Sequence, residues 1–337
     1  ILLNPGDSEL ESFLKENAIP VERVTYAGKT DLLSALLKTY RLLKKNRSAI
    51  IHTHLFDASL IGLTAGRMAG VKKRIYTRHH SDYHHEYYPH AIKYDKFINF
   101  MATDIVAITQ VVKDILIKKE FVDEKKICLI HHGFLLEDFI NPSPGTVNKL
   151  KQNYNPNNQY PVIGMISRYI HWKGLQYSIP AFEKLLKTYP DALLILANAK
   201  GDYKKEIAEM LSKIPKKNWV EIEFESDIFA LYQLFDTFIH VPITHQCEAF
   251  GQTYVEALAA GVPSVFTLSG IANDFIIDGH NAVVVPYKNT NAILTGTLEI
   301  LKDNTLRDKL ILNGRKDILT RFNLQRMINA LEDLYAN

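Results

Sequence analysis

Cysteine is scarce in this sequence: the 337 residues include only Cys128 and Cys247, too few for a disulfide framework. Such scarcity is typical of a reducing compartment, so we expect a cytoplasmic protein. No run of about 18 consecutive apolar residues occurs, so no transmembrane helix is predicted. A strong charge of one sign is also lacking, since 40 Lys and Arg stand against 37 Asp and Glu. Binding of a polyanion through bulk charge is therefore not expected, whereas a local basic patch stays open.

The sequence instead has short β-branched runs that alternate with longer amphipathic runs. This alternation predicts parallel sheets with helices on both faces. Predicted strands span residues 21–26, 49–54, 74–78, 104–108, 126–131, 162–167, 192–197, 219–224, 237–241, 264–267 and 282–285. Predicted helices include 57–70, 253–260, 290–302, 306–321, 325–336 and one that begins after the capping-box pattern of Ser8 and Glu11.

The alternation is interrupted between residues 141 and 160, where Pro, Asn and Gly cluster. We predict an α/β protein of two facing, doubly wound (Rossmann-like) domains with parallel sheets. The first domain spans 1–145 and the second 161–320, joined by a linker at 146–160. A final helix within 321–337 is expected to pack back towards the first domain. Ligands of such sheets bind beyond the carboxyl ends of the strands, here in the cleft between the domains.

Arg168 and Lys173 form the first candidate site. Both follow the predicted strand 162–167 and precede a helix that begins near Gly174. Two cations beside free backbone N–H groups can bind an anion. Since a charge-assisted hydrogen bond contributes about 1.5–3 kcal/mol, the pair could hold a diphosphate without a metal. The alternative is a pair of solvated surface cations.

Glu248 and Glu256, with seven residues between them, form the second candidate site. Gly251 permits close backbone approach at the start of the helix 253–260, whose N–H groups can bind an oxygen-rich ligand. About one turn into that helix, Glu256 can accept hydrogen bonds from a vicinal diol such as a ribose. Glu248 can bind a sugar hydroxyl. The alternative is that Glu248 caps the helix and Glu256 is merely exposed.

Together, Arg168-x4-Lys173-Gly174 and Glu248-x7-Glu256 resemble the retaining GT-B glycosyltransferases of family four (glycosyl transferases group 1). Weaker matches run along nearly the whole chain: His52-x-His54, Thr77-Arg78-His79, Ala107-Ile108-Thr109-Gln110-x2-Lys113, His132-Gly133-Phe134, Gly201, the segment 256–263 and Asp278-Gly279-His280-Asn281.

The resemblance implies roles for individual residues. Arg168 and Lys173 would hold the diphosphate of a UDP- or GDP-linked sugar, which is a co-substrate, and no cofactor is implied. Glu256 would bind the ribose, and Glu248 with the backbone of 250–252 the donor sugar. The implied donor-binding residues are Arg168, Lys173, Glu248, Phe250, Gly251, Gln252 and Glu256. The implied catalytic residues are His79, at the reaction centre, with Arg168, Lys173 and Glu248.

The implied activity is transfer of a hexose to an acceptor hydroxyl with retention, in the synthesis of cell-surface polysaccharide (capsule or lipopolysaccharide) or glycolipid. In similar enzymes the first domain takes the acceptor, a glycan or a lipid-linked glycan, and no nucleic acid is involved. Basic clusters at 44–47 and 72–74 are either solvated or dock the protein weakly on the inner membrane face. Near an anionic surface each basic residue contributes about 1 kcal/mol.

The chain departs from the family in several places. It begins at Ile1, so the family's first strand and Gly-rich loop are expected to be missing. His132-Gly133-Phe134-Leu135 stands where Asn-Gly-x-Asp is usual, and extra residues at 244–247 either add a donor contact through His245 or merely lengthen a loop. Two further functions stay open: a non-hydrolysing nucleotide-sugar epimerase of the same fold, and a non-catalytic nucleotide-sugar-binding protein.

Seven of the 13 histidines lie between His52 and His90. His52 and His54 should point to the same side of a strand, and such a pair would suit a metal-dependent hydrolase. No HExxH motif or cysteine cluster supplies further ligands, so no metal is expected. The Tyr-rich stretch 83–88, with His84 and His85, is interpreted as a mobile loop on the acceptor side.

Overall fold

The computed structural model describes residues 1–4 and 6–336, which divide into two compact units. The first unit comprises Ile1–Ile108, Val112–Ile130 and the chain from Leu331 onward, and the second comprises Thr109–Val111 and His131–Ala330. The first unit's main segment thus ends at Ile130 rather than at residue 145. A helix, Pro144–Tyr154, occupies most of the segment interpreted as a linker. Pro and Asn cluster there because they begin and end this helix.

The first unit is built on a four-stranded parallel sheet. The strands of this sheet are β3 (Ile50–His54), β4 (Lys73–Arg78), β5 (Asp104–Ala107) and β6 (Ile127–Leu129). The unit also contains two shorter strands, β1 (Leu2–Leu3) and β2 (Arg23–Val24). Its helices are α1 (Glu9–Glu16), α2 (Leu32–Lys45), α3 (Phe56–Ala69), α4 (Tyr83–Tyr87), α5 (Ile92–Met101) and α6 (Gln110–Lys118), the last beginning in residues of the second unit. The order β3-β4-β5-β6 is parallel throughout, and β1 pairs in parallel with β2.

At the start of the chain, the short strand Leu2–Leu3 pairs in parallel with Arg23–Val24. The expected capping box needs correction. The capping box is half formed: the Ser8 hydroxyl accepts a hydrogen bond from the Glu11 N–H at 3.2 Å, as predicted. The Glu11 carboxylate instead binds the side chains of Arg23 and Lys15, because charged partners outcompete a backbone amide.

The second unit contains a six-stranded parallel sheet. Its strands are β7 (Val162–Ile166), β8 (Leu193–Ala197), β9 (Trp219–Ile222), β10 (Thr237–His240), β11 (Ser264–Phe266) and β12 (Val283–Val284). Its helices are α7 (Glu137–Ile140), α8 (Pro144–Tyr154), α9 (Leu175–Leu185), α10 (Lys204–Leu211), α11 (Ile228–Tyr232), α12 (Gln252–Ala259), α13 (Ala272–Phe275), α14 (Thr290–Lys302), α15 (Asn304–Arg321) and α16 (Leu324–Ala336), whose last residues belong to the first unit.

The strand order of the second sheet is β12-β11-β10-β7-β8-β9, the doubly wound order of dinucleotide-binding folds. Every residue of β7, β8, β10 and β11 is buried, because helices cover both faces of the sheet. The predicted architecture of two Rossmann-like α/β halves is confirmed. Among residues 1–4 and 6–336, none of the helices combines the length and the apolar character that a membrane span requires.

Candidate active site

The second sheet has its switch point between β7 and β10. From β7 the chain continues outward through β8 and β9, and from β10 it continues the other way through β11 and β12. At such a point the loops that follow the two strands diverge and leave a crevice beyond their carboxyl ends. Arg168 follows β7, and Glu248 follows β10. Topology therefore gathers the two sequence motifs at one edge of the sheet.

A glycine turn brings Lys173 to the end of β10. Residues His171–Lys173 form a single 3-10 turn that ends at Gly174, whose φ of 82° is in the left-handed region. A Cβ at this position would lie 1.9 Å from the carbonyl oxygen of Val241, just beyond β10. Only glycine combines this backbone conformation with so close an approach. The turn can therefore pack directly on the neighbouring strand end.

Lys173 and Glu248 form a nearly buried ion pair. Lys173 Nζ lies 2.6 Å from Glu248 Oε1, and the two side chains are 19% and 9% exposed. His240 Nε2 lies 3.1 Å from the same oxygen, and the Glu248 N–H donates to Ser269 Oγ at 3.1 Å. Burial opposes ionisation, but Lys173 and His240 hold the pKa of Glu248 well below its usual range. Glu248 is therefore ionised at neutral pH and fixed in place.

His240 is a residue of this site that the sequence did not single out. It ends β10, is 4% exposed, and its pKa is lowered by burial. Because the Glu248 carboxylate can only accept, His240 Nε2 must carry the proton of the neutral ring. A polar residue at the carboxyl end of an otherwise apolar strand, eight positions before Glu248, was the available signal.

Arg168 differs from Lys173 in its environment. Its side chain is exposed, and nothing in residues 1–4 and 6–336 gives it an ion-pair or hydrogen-bond partner. The sequence interpretation treated the two cations as equivalent. The structure distinguishes a solvated guanidinium, Arg168, from an ammonium group already paired with a carboxylate, Lys173.

Glu256 occupies a separate position on α12. It is the fifth residue of the helix and half-buried, and Tyr232 donates a hydrogen bond to its Oε2 at 2.8 Å. Burial raises the pKa of Glu256, which this hydrogen bond partly opposes. The second carboxylate oxygen has no protein partner among the described residues. Tyr232, buried in the core, was not predicted from the sequence because its contact depends on packing between α11 and α12.

The N-cap residue of α12 provides no side-chain cap. It is Gly251, whose φ is 84° and which has no side chain that could bond to the first N–H groups. Gln252, the first helical residue, is exposed. Phe250, in contrast, is 5% exposed and packs against Phe322 and His132, so its side chain belongs to the core. Free N–H groups at a helix start are donors for hydroxyl or phosphate oxygens.

The loop at 244–247 is hydrogen-bonded to residues that follow the neighbouring strand β11. The carbonyl of His245 accepts hydrogen bonds from the Gly270 N–H and from Asn273, at 3.2 and 3.3 Å. Thr244 Oγ1 lies 3.0 Å from Cys247 Sγ. The His245 side chain is exposed. The backbone of this loop therefore contributes to the structure of the rim, whichever role the imidazole has.

In the first unit, the predicted His79 lies just past the carboxyl end of β4, where its Nε2 is 3.0 Å from Nδ1 of His54. His52 and His54 do face the same side, with ring centroids 4.6 Å apart. Both ring nitrogens of His52 are engaged, by Tyr335 Oη at 2.7 Å and Thr77 Oγ1 at 2.8 Å. The pair therefore does not offer two ligand atoms to a metal.

The expectation of a mobile loop at 83–88 is wrong. Residues Tyr83–Tyr87 form α4, and two of its histidines reach buried carboxylates. His84 Nδ1 lies 2.7 Å from Asp95 Oδ2, and His85 Nε2 lies 3.2 Å from Glu120 Oε1. Composition alone favoured a loop, because the partners that fix this segment are far along the chain.

Two α/β units, each built on a parallel sheet, together with the Lys173–Glu248 pair at a switch point, define a protein of the GT-B class. Residues 146–317 match the family model described as Glycosyl transferases group 1, and residues 4–138 match Glycosyltransferase Family 4. The first match covers more than half of the chain. This protein belongs to the glycosyl transferases group 1 family and is a glycosyltransferase.

Individual relatives agree with this assignment. The chain is 28% identical to the capsular polysaccharide biosynthesis glycosyltransferase CapM of Staphylococcus aureus, over 99% of this chain and 88% of CapM. It is 22% identical to the Escherichia coli UDP-Gal:alpha-D-GlcNAc-diphosphoundecaprenol alpha-1,3-galactosyltransferase, over 90% and 79%. The crystal structure of Anabaena Alr3699/HepE in complex with UDP-glucose superimposes with a TM-score of 0.85 at 21% identity, covering 98% of this chain and 90% of that one. The similarity to the HepE structure is evidence for the fold alone.

Proposed function

We propose that this protein transfers a sugar from a nucleotide-diphosphate-sugar to an acceptor hydroxyl, with retention of the anomeric configuration. The observation that carries the proposal is the Lys173–Glu248 pair, which lies at the switch point where Arg168 also follows β7. The solved complexes of HepE with UDP and with UDP-glucose support a nucleotide-diphosphate-sugar as donor. The name of CapM supports a role in capsular, and therefore cell-surface, polysaccharide synthesis.

Arg168 and Lys173 are proposed to hold the donor diphosphate. Breaking the bond between the sugar and the diphosphate places negative charge on the leaving group, where fixed cations stabilise the transition state. Lys173 can bind Glu248 and the diphosphate at the same time, because its ammonium group has three N–H donors and Glu248 uses one of them. The exposed Arg168 guanidinium offers a planar fork that matches a phosphate.

The carboxylates are proposed to position the rest of the donor. Glu248, fixed by Lys173 and His240, would accept hydrogen bonds from hydroxyls of the donor sugar, alongside the free N–H groups at the start of α12. Glu256 would bind the ribose diol through the oxygen that Tyr232 leaves available. His79 is proposed to act at the transferred sugar, whose developing charge resembles the oxocarbenium species of glycosidases.

The acceptor is proposed to be lipid-linked. An apolar groove of about 460 Å³ lies in the first unit between α2, α3 and α5, lined by Leu36, Leu60, Tyr94 and Phe97, with Lys93 among its lining residues. Relatives are named for acceptors with diphosphoundecaprenol or diacylglycerol parts. An apolar groove beside a cation suits an acyl or prenyl chain attached to an anionic headgroup. We therefore propose peripheral association with the inner membrane face.

The donor site can be tested by replacing each cation: Arg168→Lys keeps the charge but loses the planar fork, and Lys173→Met loses the charge. We expect Arg168→Lys and Lys173→Met each to lower kcat/KM by about 10- to 150-fold, equivalent to a charge-assisted hydrogen bond of about 1.5–3 kcal/mol. Lys187→Met, an exposed cation near the end of α9, is the matched control. Activity is measured as release of nucleoside diphosphate from UDP- and GDP-linked sugars, for folded variants only.

The products distinguish the remaining functions. Proton NMR of the glycosylated acceptor reports whether the anomeric configuration is retained. A change in the donor sugar without any acceptor would indicate an epimerase instead. Turnover at the wild-type rate in both cation variants would contradict the proposed diphosphate site.

A further inference from the structure

A cluster of charged side chains lies buried in the first unit. Arg78 Nη2 lies 2.5 Å from Glu120 Oε1, and Arg78 Nη1 lies 3.1 Å from Asp95 Oδ1. The three side chains are at most 1% exposed. Two carboxylates thus share one guanidinium. When both are ionised, one negative charge is left uncompensated, and an unpaired buried charge is costly.

Two histidines converge on one of these carboxylates. His80 Nε2 lies 3.3 Å from Asp95 Oδ1, and His84 Nδ1 lies 2.7 Å from Asp95 Oδ2. One ligand atom from each of the three residues lies within 4.8 Å of the others. His80 Nε2 and Asp95 Oδ1 are both buried, yet neither has a hydrogen-bond partner among the described residues. Buried polar atoms of this kind are rare unless a ligand, ion or water satisfies them.

The spacing of these atoms suits a bound cation. In a tetrahedral site with metal–ligand bonds of 2.0–2.1 Å, neighbouring ligand atoms are about 3.4 Å apart. The 3.3 Å between His80 Nε2 and Asp95 Oδ1 is close to that spacing, and neither atom makes a well-aligned hydrogen bond within the described residues. Two imidazoles and a carboxylate are a common ligand set for Zn²⁺ with one open position.

We propose that His80, His84 and Asp95 bind one divalent transition-metal ion, of which Zn²⁺ is the reference case. The cation offsets the negative charge that Arg78 leaves uncompensated. It also ties together the end of β4, helix α4 and helix α5, which carry the three ligands.

The ligands could not be recognised by spacing alone. His80 follows β4, His84 lies in α4 and Asp95 lies in α5, so only the fold brings them together. The sequence expectation of no metal was based on the lack of an HExxH motif or a cysteine cluster, and His84 was interpreted as part of a loop. Since His79 directly precedes His80, the ion would also restrain the segment that carries the proposed catalytic histidine; that last consequence depends on the proposed function, whereas the metal site does not.

Metal binding by the full chain tests the proposal. The purified protein is treated with chelator, dialysed, and titrated with Zn²⁺ by calorimetry and with Co²⁺ by visible absorption. We expect about one equivalent to bind, with the intense d–d bands of low-symmetry Co²⁺ coordination. His80→Gln and His84→Gln should each weaken binding by at least about 100-fold. Asp95→Asn keeps the side-chain shape and should do the same.

The controls separate this site from other histidines. His90→Gln, an exposed histidine outside the cluster, should bind like the wild type. Circular dichroism shows that each variant is folded before its titration is interpreted. Absence of Zn²⁺ and Co²⁺ binding by the folded wild type, or unchanged binding by folded His84→Gln, would overturn the proposal. So would loss of binding in His54→Gln alone, which would assign the ion to the pair of His54 and His79.

Discussion

Glu248 is a buried residue whose charge depends on its neighbours. It is 7% exposed, and its ionised form is stabilised by Lys173 and by the His240 ring. Since the folded protein depresses the pKa of Glu248, its ionisation contributes stability above pH 4.5, the ordinary pKa of a glutamate. That contribution is lost as the pH falls from 4.5 towards the depressed pKa.

Removing Lys173 should therefore cost stability in a pH-dependent way. In Lys173→Met the carboxylate stays buried without its main cation, and we expect the unfolding free energy to fall by about 3 kcal/mol at pH 7. The difference from the wild type should shrink as the pH falls, because Glu248 of the folded variant takes up a proton once Lys173 is gone, whereas Glu248 of the folded wild type stays ionised. Urea unfolding at pH 7 and at pH 4 measures this.

The double variant Lys173→Met/Glu248→Gln is the control for this prediction. It removes both charges together and should recover part of the lost stability, because no unpaired charge is left buried. A stability difference between Lys173→Met and the wild type that is the same at both pH values would mean that Glu248 is not the group involved.

At the scale of elements, the packing of the turn before α9 against β10 holds the site together. This packing requires a glycine at 174, where the added Cβ would meet the backbone oxygen of Val241 at 1.9 Å. A backbone atom cannot rotate away as a side chain can. The position of Lys173 is therefore fixed by the backbone of a neighbouring strand.

Gly174→Ala should destabilise the protein by more than about 2 kcal/mol, because left-handed strain adds to the clash with Val241. Gly279→Ala is the matched control: Gly279 also has a positive φ, 63°, but nothing lies within 4 Å of an added Cβ. It should cost only about 1 kcal/mol. Urea unfolding compares the two variants, and equal costs would contradict the role of close packing at 174.

The sequence predicted features that depend on local patterns, and it missed features that depend on packing between elements. Strand positions were found because buried parallel strands are continuous apolar runs, and α14 spans the predicted residues 290–302. Lys173 and Glu248 were assigned to two separate candidate sites, and their ion pair was not predicted. Tyr232 and His240 were missed because their contacts depend on packing between elements. For the same reason α4 was interpreted as a loop, since Asp95 and Glu120 are distant along the chain.

At the scale of the whole molecule, exposed apolar side chains are unusually frequent around the groove of the first unit. Leu33 on α2 is 67% exposed and Phe100 on α5 is 62% exposed. Lys93 and Arg67 lie on the neighbouring surface, Arg67 over the Phe100 ring. Apolar side chains next to cations are typical of proteins that bind an anionic lipid surface.

We expect the protein to bind phosphatidylglycerol vesicles at low ionic strength in a flotation assay. The double variant Leu33→Asn/Phe100→Asn should bind about tenfold more weakly or worse, since burying each such side chain contributes about 1.5–3 kcal/mol. Phe224→Asn is the control, because Phe224 is 78% exposed in the second unit and should not contact lipid. Equal effects of both substitutions would argue against docking through the groove.

The discontinuity of the first unit has a consequence for biosynthesis. His52 in β3 is hydrogen-bonded to Tyr335 at 2.7 Å, and the chain from Leu331 onward belongs to the same unit as β3. At about 5–20 residues per second, a ribosome needs roughly 10–40 s to proceed from residue 130 to residue 335. Throughout that interval the nascent first unit lacks its last helical segment. The second unit, almost continuous from His131 to Ala330, can therefore fold before the first unit is complete.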